Sequence, residues 1–428
     1  MKLQEFINGI SGGAFDSIFG RLYGCSEKMI LRQRARYMNA AERFSKACPE
    51  CGNIRVFSAP GRTEIGGNHT DHQHGCVIGA AVGLDAIAIA SVNDTGIIRV
   101  KSDGFPEDSI HIDDLSPKKD EQGTSAALIR GIARRFAEKG TKLRGMYAFT
   151  MSDVQPGSGL SSSAAYEMLI STMIDKCLGS GDSGAAANAA AGQFAENVYF
   201  GKACGLMDQM ISSVGGAVFI DFMTPEEPEI RTVGYDLSEA GYSLCITDTR
   251  ESHSDLTADY SSVPEEMKSV AVRLGCEYLR DADEEKFYEM IPQLREQCSD
   301  RAILRAAHFF AENRRARQEF EALEAGDTET FFELVNESGR SSAELLQNLY
   351  PAGDPSRQGL TLAIMMSRRF LGGNGAVRVH GGGFAGTIQA FVPTYQAEEY
   401  SAEMDRIFGE GSCKILRIRP EGSIEITL

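Results

Sequence analysis

Apolar positions along the chain follow two periods, and their succession sketches an order of elements. Residues 26–47 carry apolar side chains at helical spacing, with Arg32, Arg34 and Arg36 on what reads as a solvated face. Residues 54–58 read as a short strand that runs into a Gly-rich stretch. The apolar, small-residue run 76–92 (CVIGAAVGLDAIAIASV) reads as buried strand. Residues 123–139 have helical spacing, and 145–151 read as a strand feeding a second Gly-rich stretch. A helical pattern through Tyr166, Met168, Leu169 and Met173 follows. Residues 188–200 predict a helix with Asn188 as N-cap. Residues 205–213 are helical and 216–222 extended. The segment 223–239, with Pro225 and Pro228, reads as a domain boundary. Beyond it come a strand at 242–248, long helical segments at 281–297 and 302–325, and short strands at 375–380, 386–392 and 413–419. Strands and helices interleave without a regular repeat.

Three Gly-rich blocks punctuate this order, at 58–75 (SAPGRTEIGGNHTDHQHG), 154–165 (VQPGSGLSSSAA) and 379–386 (VHGGGFAG). The second lies between a strand and a helix. Bare backbone N–H groups at a helix start suit an anion such as phosphate. Its glycines are not followed by the Lys of a Walker loop. Three hydroxyls, Ser161, Ser162 and Ser163, stand there instead, and a hydroxyl can ligate Mg²⁺. The third block permits close backbone approach and, alone, reads as a tight hairpin. The first carries Arg62, Glu64, His69, Asp71, His72 and His74. Its histidines and carboxylate fit either a zinc site or a polyol site.

Composition narrows the classes. A length of 428 residues suits two domains, and a formal net charge of −17 argues against nucleic acid or an anionic membrane as partner. No run of apolar residues is long enough to span a bilayer, and residues 1–12 lack a signal pattern. The ten cysteines show no framework spacing. Reduced thiols in a cytoplasmic protein are therefore expected, with Cys48-Pro-Glu-Cys51 a surface turn.

The three blocks, in this order, resemble the GHMP small-molecule kinases. The run Gly61-Arg62-Thr63-Glu64-Ile65-Gly66-Gly67-Asn68-His69-Thr70-Asp71-His72 is closest to the galactokinase signature G-R-V-N-L-I-G-E-H-T-D-Y. Ala195-Glu196, Gly201 and 204–209 (CGLMDQ) resemble A-E-x-x-x-x-G-x-x-C-G-x-M-D-Q. Asp248-Thr249-Arg250 with His253 and Tyr260 resembles D-T-R-x-x-H. Ala307-His308 with Glu312-Asn313 resembles R-H-x-x-x-E-N.

The resemblance implies a two-domain α+β GHMP kinase fold. Residues 1–230 would form a ribosomal protein S5 domain 2-like domain, and 231–428 a ferredoxin-like one. It implies transfer of the γ-phosphoryl of ATP, with Mg²⁺, to the anomeric hydroxyl of a galactose-type sugar. Asp208 matches the catalytic carboxylate and Arg62 its partner. Asn68, His69, Asp71 and Tyr260 match sugar-binding positions. Gly157, Ser158, Gly159, Leu160, Ser161, Ser162 and Ser163 match the nucleotide phosphate loop, and Ser162 and Glu196 the Mg²⁺ ligands. Taken alone, Asp208 is equally an acid capping a helix start.

The departures bear on the sugar. Asn68 stands where the family has a Glu that binds the C6 hydroxyl, and Thr63-Glu64 replaces Val-Asn. A charged hydrogen bond to that hydroxyl contributes about 1.5–3 kcal/mol, a neutral amide about 0.5–1.5. An amide would also tolerate a carboxylate at C6, which makes galacturonate the alternative substrate. A non-catalytic sugar sensor is the reading from another class. The intact run 159–165 (GLSSSAA), with Asp208 and Arg62 both present, speaks against it.

Overall fold

The computed structural model describes residues 1–155, 157–179, 181, 183–202, 204–225, 227–234, 237–251 and 256–428. Pro156 of the second block and His253 lie outside the described residues. The chain opens with helices α1 (Leu3–Ser11), α2 (Asp16–Tyr23) and α3 (Glu27–Ala47). Strands β1 (Arg55–Gly66), β2 (Cys76–Asn93), β3 (Ile97–Ser102) and β4 (Glu107–His111) follow. Next come α4 (Ser125–Glu138), β5 (Gly145–Ser152), α5 (Ser162–Leu178), α6 (Ala185–Phe194) and α7 (Met207–Val214). Then come β6 (Ala217–Asp221), β7 (Glu229–Val233), β8 (Tyr242–Asp248) and α8 (Thr257–Arg273). Helices α9 (Glu284–Glu289), α10 (Ile291–Leu294), α11 (Asp300–Ala325), α12 (Thr328–Ser341) and α13 (Gly359–Leu371) continue the chain. It ends in β9 (Ala376–His380), β10 (Thr387–Pro393), α14 (Ala397–Phe408), β11 (Cys413–Leu416) and β12 (Ile424–Glu425). The expected α+β class holds.

The chain packs as two compact units. The first is 1–62, 81–216 and 419–428; the second is 63–80 and 217–418. Residues 63–80, expected with the N-terminal half, therefore pack with the later chain. The reason is that β1 and β2 are long: each begins in one unit and ends in the other.

In the first unit the strand order is β12-β1-β2-β5-β3-β4. Among the described residues only β3 and β5 pair in parallel, with Val100 opposite Ala148. Aromatic side chains of α1 to α3 (Phe6, Phe15, Phe19, Tyr37, Phe44) pack on Val56, Ile87, Ile89, Tyr147 and Phe149. Removing such surface from water is the main stabilising term. One ion cluster interrupts this apolar layer. Buried Asp85 accepts from Tyr23 at 2.6 Å, Arg36 at 2.5 Å and Arg419 at 3.1 Å. Arg36, read from sequence as solvated, thus turns inward, because a buried carboxylate needs a countercharge.

In the second unit, Cys76–Ala80 of β2 pairs antiparallel with β6, and β6 with β7. A separate antiparallel sheet runs β11-β8-β10-β9. Its apolar face (Val377, Val379, Ile388, Ala390) is covered by Leu360 and Ile364 of α13 and Tyr400 and Met404 of α14. Residues 281–297 are not one helix. Pro292 sits at the start of α10 and divides the segment. Asn188 lies inside α6 rather than capping it, and its side-chain oxygen accepts from Ser171 at 3.3 Å. Cys48 and Cys51 are disulfide-bonded, which corrects the expectation of ten reduced thiols; the other eight are free. Among the described residues no helix is long and apolar enough to cross a membrane.

Candidate active site

The first unit gathers the second Gly-rich block, Arg62 and Asp208. Strand β1 runs beside the loop: the Arg62 N–H donates to the Leu160 carbonyl at 3.0 Å. Only glycine fits before it, since a Cβ on Gly61 would stand 2.7 Å from the Leu160 oxygen. The loop then turns through left-handed conformations at Gly157, Gly159 and Ser161 (φ +77°, +74° and +53°) into α5. Ser162 and Ser163 form the first turn of that 17-residue helix, where N–H groups lack intrahelical partners.

Asp208 sits in the first turn of α7, but Leu206, not Asp208, holds the N-cap position. The acid is directed at Arg62 instead. Two parallel hydrogen bonds of 2.7 Å join the guanidinium to the carboxylate, and a third donor of Arg62 reaches the Gly159 carbonyl at 2.6 Å. Burial acts to raise the Asp208 pKa. The charge and hydrogen bonds of Arg62, helped by the Ser161 hydroxyl, outweigh it and hold the group below the usual carboxylate value. Asp208 is thus ionised at neutral pH with its side chain 29% exposed, whereas Arg62 is 12% exposed.

A second acidic group lies near it. Gln209, the neighbour of Asp208, donates from one amide nitrogen to Glu167 at 2.9 Å and to Glu196 at 3.0 Å. The Lys202 ammonium lies 3.1 Å from Glu196. Burial, then the charge of Glu196, pushes Glu167 up to about 8. One oxygen of Glu167 is buried without a hydrogen-bond partner. These hard oxygen donors, with more acid than base among them, fit a divalent cation such as Mg²⁺. Sequence reasoning named Glu196 and missed Glu167, whose only signal was a carboxylate placed within an apolar helix.

The second unit gathers the rest of the first block around the third. Three successive carbonyls of the Gly-rich turn each bond one of the expected sugar residues. Gly381 accepts from Asn68 at 2.8 Å, Gly382 pairs with His69 at 2.9 Å, and Gly383 accepts from Tyr260 at 2.9 Å. The third block is therefore a scaffold that aligns three expected sugar residues. Gly67 precedes them at φ +82°, where a Cβ would meet the Cys76 carbonyl at 2.3 Å. His69 itself is left-handed, at φ +60°. Burial, then the proximity of His72, brings its pKa down to about 4, so it is neutral at pH 7. Since Nε2 faces a carbonyl, Nε2 carries the proton and Nδ1 is left as an acceptor. Asp71 is partly exposed and accepts from the His72 N–H at 3.0 Å.

The segment is gripped from α11. Glu312 accepts from the N–H groups of Gly67 (3.1 Å) and Asn68 (3.3 Å), and His308 bonds the Asn68 carbonyl at 3.0 Å. Asn313 accepts from the Cys76 N–H at 2.8 Å. Burial opposes the charge on Glu312, but Arg315, His308 and Arg378 win and bring its pKa to about 2.

Two expectations change. Asn68 is fully buried, and its side chain is spent internally: its amide also donates to Glu64 at 2.8 Å, and its oxygen accepts from Asn348 at 2.8 Å. It has no donor left over for a sugar carboxylate. The zinc reading also falls: among the described residues no group of three or more His, Cys, Asp or Glu is placed to hold a metal ion. His74 stacks on Tyr278 with ring centroids 3.6 Å apart, and His69 is engaged with Gly382.

Residues 41–92 match the galactokinase galactose-binding signature, and 127–216 match the GHMP kinase N-terminal domain. The galactokinase of Actinobacillus pleuropneumoniae is 31% identical over 360 residues, covering 84% of this chain and 90% of the relative. The chain belongs to the galactokinase family. The galactokinase of Streptomyces coelicolor is 28% identical, covering 85% of this chain and 91% of its own. In fold, this family member is similar to Lactococcus lactis galactokinase, solved in complex with galactose, with a TM-score of 0.76 at 22% identity over 91% of this chain and 99% of that one. It is also similar to Methanococcus jannaschii mevalonate kinase, with a TM-score of 0.59 at 14% identity over 86% of this chain and 99% of that one. This galactokinase-family chain is thus a sugar kinase with the GHMP fold.

Proposed function

We propose that this protein transfers the γ-phosphoryl group of ATP to the C1 hydroxyl of a galactose-type sugar, giving the sugar 1-phosphate and ADP. The observation that carries the reading is the bidentate Arg62–Asp208 pair, set beside the Gly-Ser loop in the first unit. Phosphoryl transfer passes through a loose, anionic transition state, so positioning and charge stabilisation do most of the catalysis.

Asp208 accepts the proton of the C1 hydroxyl as its oxygen attacks phosphorus and the bond to ADP breaks. Arg62 keeps that carboxylate ionised and offers positive charge to the phosphate being transferred. The N–H groups of residues 157–163 cradle the nucleotide phosphates. Ser162 and Glu196 would hold Mg²⁺, which would neutralise phosphate charge there. His69 accepts a sugar hydroxyl through Nδ1, Asp71 accepts from ring hydroxyls, and Tyr260 lines the same site. The net charge of −17 and the eight free thiols favour a cytoplasmic enzyme acting on small molecules.

The test is a coupled ADP-release assay over galactose, galacturonate and N-acetylgalactosamine, with phosphorus NMR of the product. ATP-dependent turnover giving an anomeric phosphate is expected, with galactose above galacturonate because no donor at position 68 remains for a carboxylate. Binding of sugar without turnover of any of them would make the protein a sensor instead.

A further inference from the structure

Two of the departures from the family signature touch each other. The signature has Asn where this chain has Glu64, and Glu where it has Asn68. Four residues apart along β1 and the turn after it, the two side chains meet: Asn68 Nδ2 donates to Glu64 Oε1 at 2.8 Å. We propose that Glu64 and Asn68 are an exchanged pair, in which the carboxylate has moved from position 68 to position 64 and been turned from a sugar contact into a specificity-determining brace. This rests on the reading of the chain as a sugar 1-kinase.

The surroundings support the exchange. The carboxylate at position 64 meets Arg378, which is fully buried and lies 3.3 Å away. The other donors of that guanidinium go to the carbonyls of Ile65 (2.5 Å) and Val379 (3.0 Å). At position 68, by contrast, the amide bridges an acceptor on each side, Glu64 Oε1 and the Gly381 carbonyl, both at 2.8 Å. A carboxylate there would face two acceptors with nothing to donate, and would add charge beside buried Glu312, which already accepts from the Asn68 N–H at 3.3 Å. The Glu of the signature is therefore compatible with this unit only if position 64 also reverts. The consequence for specificity is direct. No charged acceptor at position 68 reaches a sugar hydroxyl, and the amide there is already bonded. The enzyme thus gains little from the C6 hydroxyl and accepts a 6-deoxy sugar almost as well.

The experiment is a double-mutant cycle with Glu64→Asn, Asn68→Glu and the double variant, read two ways on the full chain. The first readout is thermal unfolding without ligand. Each single variant is expected to lower Tm by at least about 5 °C, as for a broken buried pair. The double variant should lose less than the sum of the two. If Asn68→Glu fails to fold, folding of the double variant is the same rescue; failure of both, or additive losses, overturns the exchange. The second readout is the ratio of kcat/KM for galactose to that for 6-deoxygalactose. The wild type is expected below about 10-fold. The double variant is expected between about 10- and 150-fold, the range of a charged hydrogen bond. A wild-type ratio above that threshold, or a double variant that leaves it unchanged, overturns the specificity role. If no sugar is phosphorylated by any form, the kinase reading has failed, and the Tm cycle still decides whether the pair is coupled.

Discussion

Replacing Asp208 by Asn separates the catalytic reading of this acid from a purely structural one. The side chain keeps its size and one carbonyl acceptor but loses its charge, and Arg62 loses the partner of two 2.7 Å hydrogen bonds. Arg62 keeps its bond to the Gly159 carbonyl, so the guanidinium stays in place. Hydrogen bonds to charged groups contribute about 1.5–3 kcal/mol, and the partial exposure of this pair puts the stability loss toward the lower end. General-base loss costs about 10²–10⁴ in rate. A fall of kcat in that range is expected, with KM for ATP changed far less and a folded, monodisperse protein. The assay is steady-state ADP release together with a thermal melt. The sign of the pH effect follows from the lowered pKa. The pair stabilises the fold above the unfolded carboxylate pKa, and that contribution disappears as pH falls through the lower folded value. Wild-type kcat/KM therefore has no limb owed to Asp208 between pH 5 and pH 8. A variant with kcat within about 10-fold of wild type would refute the catalytic role and leave Asp208 as a helix-start acid.

Three further outcomes are expected. Asp85→Asn strands Arg36 and Arg419 inside the first unit, and a urea melt should lose about 3–5 kcal/mol, as for a broken buried ion pair. Gly61→Ala forces a Cβ to within 2.7 Å of the Leu160 carbonyl, so the phosphate loop must shift; KM for ATP should rise more than KM for sugar in initial-rate measurements. Glu319 is fully buried with both oxygens unbonded, and burial, then Glu312, pushes its pKa far up. A raised carboxylate loses stability as pH climbs above the unfolded value, so Glu319→Gln should flatten the decline in urea midpoint between pH 5 and pH 8.

Much of the architecture is legible in the amino-acid order alone. Helix α3 shows its 3.6-residue period and its Ser26 cap, and β2 shows a run of mostly apolar, small residues, interrupted at Asp85, because it is buried along most of its length. The Gly-Ser loop before α5 is legible because strand, glycines, hydroxyls and helix are neighbours in sequence. Other features are not. The left-handed turn at His69 is held by an interaction with Gly382, which lies 313 residues away. Arg36 looks like its neighbours, exposed Arg32 and half-buried Arg34, and only the position of Asp85, 49 residues on, turns it inward. The division at α10 is marked by Pro292, a local signal that helical periodicity across the segment masks.

By itself the sequence determined the family and, through that resemblance, pointed to the donor side of the reaction and to Asp208 as the candidate reacting acid. Each of these is carried by short blocks whose chemistry depends on nearest neighbours. It also exposed Asn68 and Glu64 as departures, but as two separate ones. Only the tertiary structure joined them, and it bonded Asn68 to Asn348, 280 residues away. The physical reason is that a buried amide is defined by which donors and acceptors surround it, and those partners are supplied by long chain closures that no local pattern encodes.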